Sequence, residues 1–340
     1  MTSRANPAAE VFDQRDNVQW SDDFGCRFLV SVDTEEEFDW NGPFERDGHT
    51  NVSVSKLERF QAFVEKYEID PVYFVDYSII EHPEAAAFLK LVATEKRASI
   101  GVHLHPWINP PFEEETNNYN SYAGNLPKEL EEQKILALRE AISEKIGETP
   151  IIYRAGRYGV GPNSIDILAK HGFLIDSSVR SRFDYRAQSG PDFAHIGPKP
   201  FWLDAEKSLF ELPLTTVFSG PFRQQADFLS PLFNRSKMAE TLLSKSKMFE
   251  RIPLTPEGVT AREAKEAIDV ALDDQLQLLV FSFHSPSLSA GHTPYVQSSA
   301  DLDKFYDWWR LVIDHLIDRG VSPISITQLL AASGLDPEKS

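Results

Sequence analysis

The chain has 340 residues, 41% hydrophobic and 25% charged, an ordinary globular composition that excludes a disordered or fibrous protein. Its 34 basic and 52 acidic residues leave a net charge of −18, which repels nucleic acid and anionic lipid, and no basic run offsets it. Cys26 is the one cysteine, so an intrachain disulfide framework and a multi-cysteine zinc site are excluded.

Residues 1–24 are polar, lack the apolar stretch of a signal peptide, and read as an irregular arm. No segment reaches the roughly 18 apolar residues of a membrane span, so the expected location is the cytoplasm. Residues 25–333 read as one domain and 334–340 as a tail.

The first β-branched run is 28–31. Ser55-Lys56-Leu57-Glu58 then reads as a capping box opening a helix with Leu57, Phe60, Val64 and Tyr67 on one face. A strand at Val72–Val75, a helix opened by Pro83 and a strand at 99–105 follow. A helix over 129–146 carries Leu130, Leu138, Ile142 and Ile146 and stops at Gly147. Next come a strand at 151–154, a helix between Pro162 and Gly172, and strands at 174–177 and 210–214. Thr260-Ala261-Arg262-Glu263 is a second capping box, before a strand at Leu278–His284. Leu302, Phe305, Trp309, Ile313 and Leu316 mark a late helix, and 324–326 a last strand. Residues 180–260 hold five prolines up to Pro221 and read as long surface loops, with one helix near 236–249.

Alternating β and α elements predict a parallel sheet, and about eight strands in this length predict a closed (β/α) barrel. An open doubly wound sheet is the weaker alternative, because no glycine-rich phosphate loop follows a strand. Barrel strands converge at their C-terminal ends, where active sites lie. Asp33-x-Glu35 ends the first run, His103-x-His105 the third, Arg154 the fourth, Asp176 the fifth and His284 the seventh. A period-two pair sends both side chains off one face, so each pair can bite one cation. The set suits a divalent metal with acid–base chemistry. Trp40, Trp107, Phe112, Tyr158 and Tyr295 follow these strands and can either stack on sugar rings or pack the rim. The other six histidines lack such a context.

At these residues the sequence resembles the polysaccharide deacetylase family, the NodB-homology carbohydrate esterases, and most nearly a WalW-like branch found among bacterial surface-polysaccharide genes. The carrying segments are SVDTEEEFDW (31–40), IGVHLHPWINPP (100–111), YRAGRYGVGP (153–162), IDSSV (175–179) and FSFHSPSLSAGHTPYV (281–296). The resemblance implies a distorted barrel of about seven or eight strands. It implies removal of N-acetyl groups from amino sugars of a polysaccharide or glycan precursor, with a divalent metal, usually zinc. By the same resemblance Asp33 is the base, Arg154 orients it, and a following acid with the two His of the second motif holds the metal; His103 matches, and Glu35 and His105 are the nearest residues that can complete the set. His284 then protonates the leaving amine and Asp176 supports His284. Two positions depart from the common pattern: Thr34 stands where a second Asp is usual, and Trp107 where the second His is usual. A sugar-binding barrel without activity and a metal amidohydrolase of small amides are the alternatives.

Overall fold

The computed structural model describes residues 16–40, 42–221, 223 and 250–335. Strands β1 (Arg27–Thr34), β2 (Val72–Val75), β3 (Ser99–Leu104), β4 (Ile152–Ala155) and β5 (Ile175–Asp176) pair in parallel in sequence order. β6 (Phe201–Trp202) lies antiparallel to β7 (Phe210–Glu211), and β7 pairs in parallel with β5. At the other edge β10 (Leu278–His284) lies parallel to β1. β8 (Thr216–Ser219) and β9 (Glu250–Pro253) form a separate antiparallel pair. The sheet curls into a distorted (β/α) barrel, and residues 212–216 bridge its two edges. The Leu212 N–H donates to the Asp176 carbonyl at 2.7 Å, and the Thr215 N–H to the Val280 carbonyl at 3.2 Å. Thr215 Oγ1 accepts from the Val280 N–H at 2.9 Å.

Eight helices are described: α1 (Val54–Val64), α2 (Tyr77–Glu81), α3 (Pro83–Thr94), α4 (Lys128–Ile146), α5 (Ser164–Lys170), α6 (Ala261–Asp273), α7 (Ser299–Asp318) and α8 (Ile326–Ser333). Helices on one face and a filled lumen on the other explain why the central strands read as near-continuous apolar runs. Trp309 of α7 is fully buried against Phe60, Phe281 and Phe283, with ring centroids 6.1, 5.9 and 5.8 Å away. Truncating such a ring to alanine costs about 3–5 kcal/mol. Among the described residues, no helix is long and apolar enough to cross a membrane.

Alternation along each strand sorts the lumen by depth. Leu29, Val72, Ile152 and Leu278 belong to an apolar plug at the strands' N-terminal ends. Two and four residues further along β1, on the same face, stand Ser31 and Asp33, in register with Ser282 and His284 of β10. A dry floor beneath a polar mouth follows from where each strand changes from Val and Leu to Ser, Asp and His.

The structure corrects several expectations. Helix α1 starts at Val54, and Ser55 Oγ bonds the Val52 carbonyl instead of closing a capping box. The cap is supplied from a distance, because the Glu37 carboxylate accepts the Val52 and Ser53 N–H groups, each at 2.7 Å. Residues 324–326 are not a strand. β11 is the short Ser322–Pro323 segment beside β1, and Ser325 opens α8 with a capping box. The described part of 180–260 is less superficial than its prolines imply, since Phe193, Ile196, Leu209 and Leu214 are buried. Residues 16–24 pack rather than trail: the Val18 N–H donates to the Pro200 carbonyl, and Trp20 stacks on Phe24. The helix expected near 236–249, the first 15 residues and most of the expected tail lie outside the described residues.

Candidate active site

Two imidazoles and a carboxylate meet where β1 and β3 end. Glu35 Oε2 lies 3.3 Å from His103 Nε2 and 3.4 Å from His105 Nε2, and all three side chains are buried. Each ring is held from behind. His103 Nδ1 faces the Arg154 carbonyl at 3.2 Å, and His105 Nδ1 faces Glu36 Oε2 at 2.9 Å. These partners leave both Nε2 atoms aimed at Glu35. Trp107 stacks on His105, ring centroids 4.3 Å apart, and donates its Nε1–H to Glu36 Oε1 at 3.0 Å. A side chain on Gly156 would overlap the His105 ring, so only glycine fits between β4 and this histidine. Burial opposes ionisation of Glu35, yet the charge of His284 and bonds from His103 and His105 outweigh it and hold its carboxyl far below the usual range. The donor set of two imidazoles and one carboxylate, mutually within 4.8 Å, fits a divalent metal such as zinc.

Beside this set stand two partnered pairs. Arg154, fully buried, donates through Nη1 to Asp33 Oδ1 and is itself fixed by the Ser177 carbonyl, Ser177 Oγ and Ser31 Oγ. Burial opposes a charge on Asp33, but Arg154, His103 and His284 prevail and keep its carboxyl below the usual range. The other Asp33 oxygen lies 3.8 Å from His284 Nε2. His284 Nδ1 is 2.7 Å from Glu257 Oε2, whose second oxygen accepts the His284 N–H at 3.1 Å and the Ser287 hydroxyl at 2.6 Å. Burial alone would lower His284; Glu257, with Glu35 and Asp33, overrides it and pushes the imidazole up to about 10.

Asp176 was expected to support His284, and the structure gives that contact to Glu257. Asp176 instead bonds the Ser178 hydroxyl and N–H and pairs with Glu211 on neighbouring β7. Burial raises Asp176 to about 6 and Glu211 well above its usual range. Trp107 was expected to present a face to sugar. It is buried and serves His105 and Glu36 instead. Phe112 sits elsewhere, beneath Arg46 and Lys134. Trp40, Tyr158 and Tyr295 do line one cavity of about 200 Å³, whose wall includes His284 and Glu257. Trp40 meets the His284 ring edge-on at 5.0 Å. Arg157 and Tyr158, also in that wall, both take left-handed backbone angles, φ 55° and 60°. Such conformations cost about 1–3 kcal/mol each and concentrate at ligand sites.

Glu36 was legible only as one more acid in a run, and Glu257 gave no sequence signal. It lies in an irregular segment 27 residues before His284 and ends no strand.

No family model matches this sequence, and no curated protein matches it. Solved structures do resemble it in fold. A family 4 acetyl xylan esterase from Clostridium thermocellum, in complex with a cobalt ion, is 12% identical over 92% of this chain and 94% of that one, with a TM-score of 0.43. The peptidoglycan deacetylase PdaC from Bacillus subtilis is 13% identical over 91% and 92%, with a TM-score of 0.39. A 4-alpha-glucanotransferase from Thermococcus litoralis is 12% identical, with a TM-score of 0.51; the match spans 90% of this chain and 40% of that one.

Proposed function

We propose that the protein is a metal-dependent hydrolase that removes N-acetyl groups from amino sugars of a polysaccharide or glycan precursor. The observation that carries this reading is the convergence of three groups: the Glu35–His103–His105 set, the Asp33–Arg154 pair and the His284–Glu257 pair. The motif segments that resemble polysaccharide deacetylases supply all of these residues except Glu257. The two departures from the common pattern do not disperse the donors. Thr34 turns its hydroxyl to the Val32 carbonyl, and Trp107 braces Glu36 behind His105.

Glu35, His103 and His105 would hold a divalent ion, which would supply Lewis acidity towards the acetamide carbonyl. Asp33 accepts the proton of the attacking water through Oδ2, because Arg154 occupies Oδ1. Its lowered pKa keeps it ionised and ready as base. His284 faces the same space through Nε2 and donates a proton to the departing amine. Glu257 on Nδ1 fixes that tautomer and favours the imidazolium. The C–N bond breaks once the water oxygen has added, the remaining hydroxyl proton passes from the new carboxylic acid to the amine, and Asp33 returns its proton to His284, so the products are acetate and a protonated amino sugar and atoms and charge balance. The test is acetate release from a panel of acetylated amino sugars by the metal-loaded enzyme and by Asp33→Asn. Release that disappears in the variant supports the reading; none from any acetamido sugar, or equal release from both proteins, overturns it.

A further inference from the structure

The cavity beside His284 contains two guanidinium groups that the proposed chemistry does not use. Arg157 and Arg180 both line it. Arg157 lies over the Tyr122 ring at 4.1 Å and the Phe44 ring at 4.7 Å. Its nitrogens donate to neutral oxygens: Asn118 Oδ1 at 3.1 Å, Gln188 Oε1 at 3.0 Å and the Ser121 hydroxyl. Arg180 lies over Phe183 at 4.1 Å and Tyr158 at 5.5 Å. Among the described residues, no carboxylate pairs with either group. Arg97, Arg154 and Arg186, by contrast, each bond a carboxylate, as a chain with 52 acidic residues readily provides. Aromatic and amide packing holds the two guanidiniums in place while leaving their charge unneutralised. Trp40 adds a buried Nε1–H without a hydrogen-bond partner in the same wall. Guanidinium forks match carboxylate and phosphate oxygens in shape and charge.

We infer that this cavity binds an acetamido sugar bearing an anionic group, a carboxylate or a phosphate, which Arg157 and Arg180 hold while the acetamide faces His284. This rests on the deacetylase reading and narrows its substrate class. The net charge of −18 makes the preference specific to the pocket, since the surface as a whole repels anions.

The experiment measures binding of N-acetylglucosamine, N-acetylglucosamine 1-phosphate and N-acetylglucosaminuronic acid to the full-length Asp33→Asn protein, alongside kcat/KM for each on the metal-loaded wild type. At least one anionic sugar binds about 10- to 100-fold more tightly than the neutral one, and its margin shrinks with added salt. The two anionic probes separate phosphate from carboxylate. Arg157→Gln and Arg180→Gln remove the preference by lowering affinity for the anionic sugars about 10- to 100-fold more than for the neutral one, whereas Arg180→Lys retains part of it. Equal affinity for all three sugars, or a preference that survives both glutamine variants, overturns the inference. Tighter anion binding without acetate release would retain the anion site and reject the deacetylase reading. Acetate release at equal kcat/KM from neutral and anionic sugars would do the reverse.

Discussion

The ends of β1 and β3 and the ends of β5 and β7 both gather buried carboxylates, and they treat them in opposite ways. At β1 and β3, Asp33 and Glu35 each face a guanidinium or imidazole, and both carboxyl groups are held below the usual range. At β5 and β7, Asp176 and Glu211 face each other, and both are pushed up. A buried acid either finds a cation and stays charged, or keeps its proton. Reaching a strand's C-terminal end is therefore not enough to make an acid chemical. The partner across the barrel decides.

The sharpest way to break this comparison is to neutralise one acid on each side. Asp33→Asn should lower kcat by about 10²–10⁴-fold, as loss of a general base does. Asp176→Asn should leave kcat close to wild type, because Asp176 bonds Ser178 and faces Glu211 and contacts none of the proposed proton-transfer groups. Steady-state acetate release checks both, and comparable losses would erase the distinction. Stability carries the same contrast. Asp176 titrates near 6 in the fold against 3.8 as an ordinary side chain, so its favourable contribution is complete below about 3.8 and disappears as pH rises through 6. Unfolding at pH 4 and pH 7 should therefore show Asp176→Asn gaining on wild type at the higher pH.

A smaller effect is expected on the alkaline side. His284 stands near 10 against 6.5 because Glu257 holds its proton. Its contribution to stability is complete below about 6.5 and is lost as pH rises through 10. Glu257→Gln should shift the alkaline limb of kcat/KM downwards by about 1–3 pH units. A limb that stays in place would detach Glu257 from His284. The smallest effect belongs to Trp107→Phe, which leaves Glu36 Oε1 without its donor and should cost about 1–3 kcal/mol of stability in denaturant titrations. No loss there would mean that the bond does not support His105.

The barrel and most of the residues gathered at its mouth were legible because each lies at the end of an apolar run, where the change from Val to Asp or His is visible in one dimension. The acid run 33–37 was legible as a cluster but not in its division of labour. Asp33 meets Arg154, Glu35 the two Nε2 atoms, Glu36 the back of His105, and Glu37 the start of α1. Those partners lie between 16 and 121 residues away, and periodicity carries no information about them. Asp176 was misread for the same reason, since nothing local distinguishes an acid facing an imidazole from one facing Glu211. Glu257 ends no strand, so it left no pattern to read.

The central claim is that Glu35, His103 and His105 hold the cation on which turnover depends, and metal analysis coupled to activity tests it most directly. The account predicts about one divalent ion per chain in the purified protein. That ion should be lost in the His103→Ala/His105→Ala variant, with acetate release from an acetamido sugar falling and returning with metal occupancy. Full turnover after chelation and dialysis, or an undiminished ion in the double variant, would contradict it.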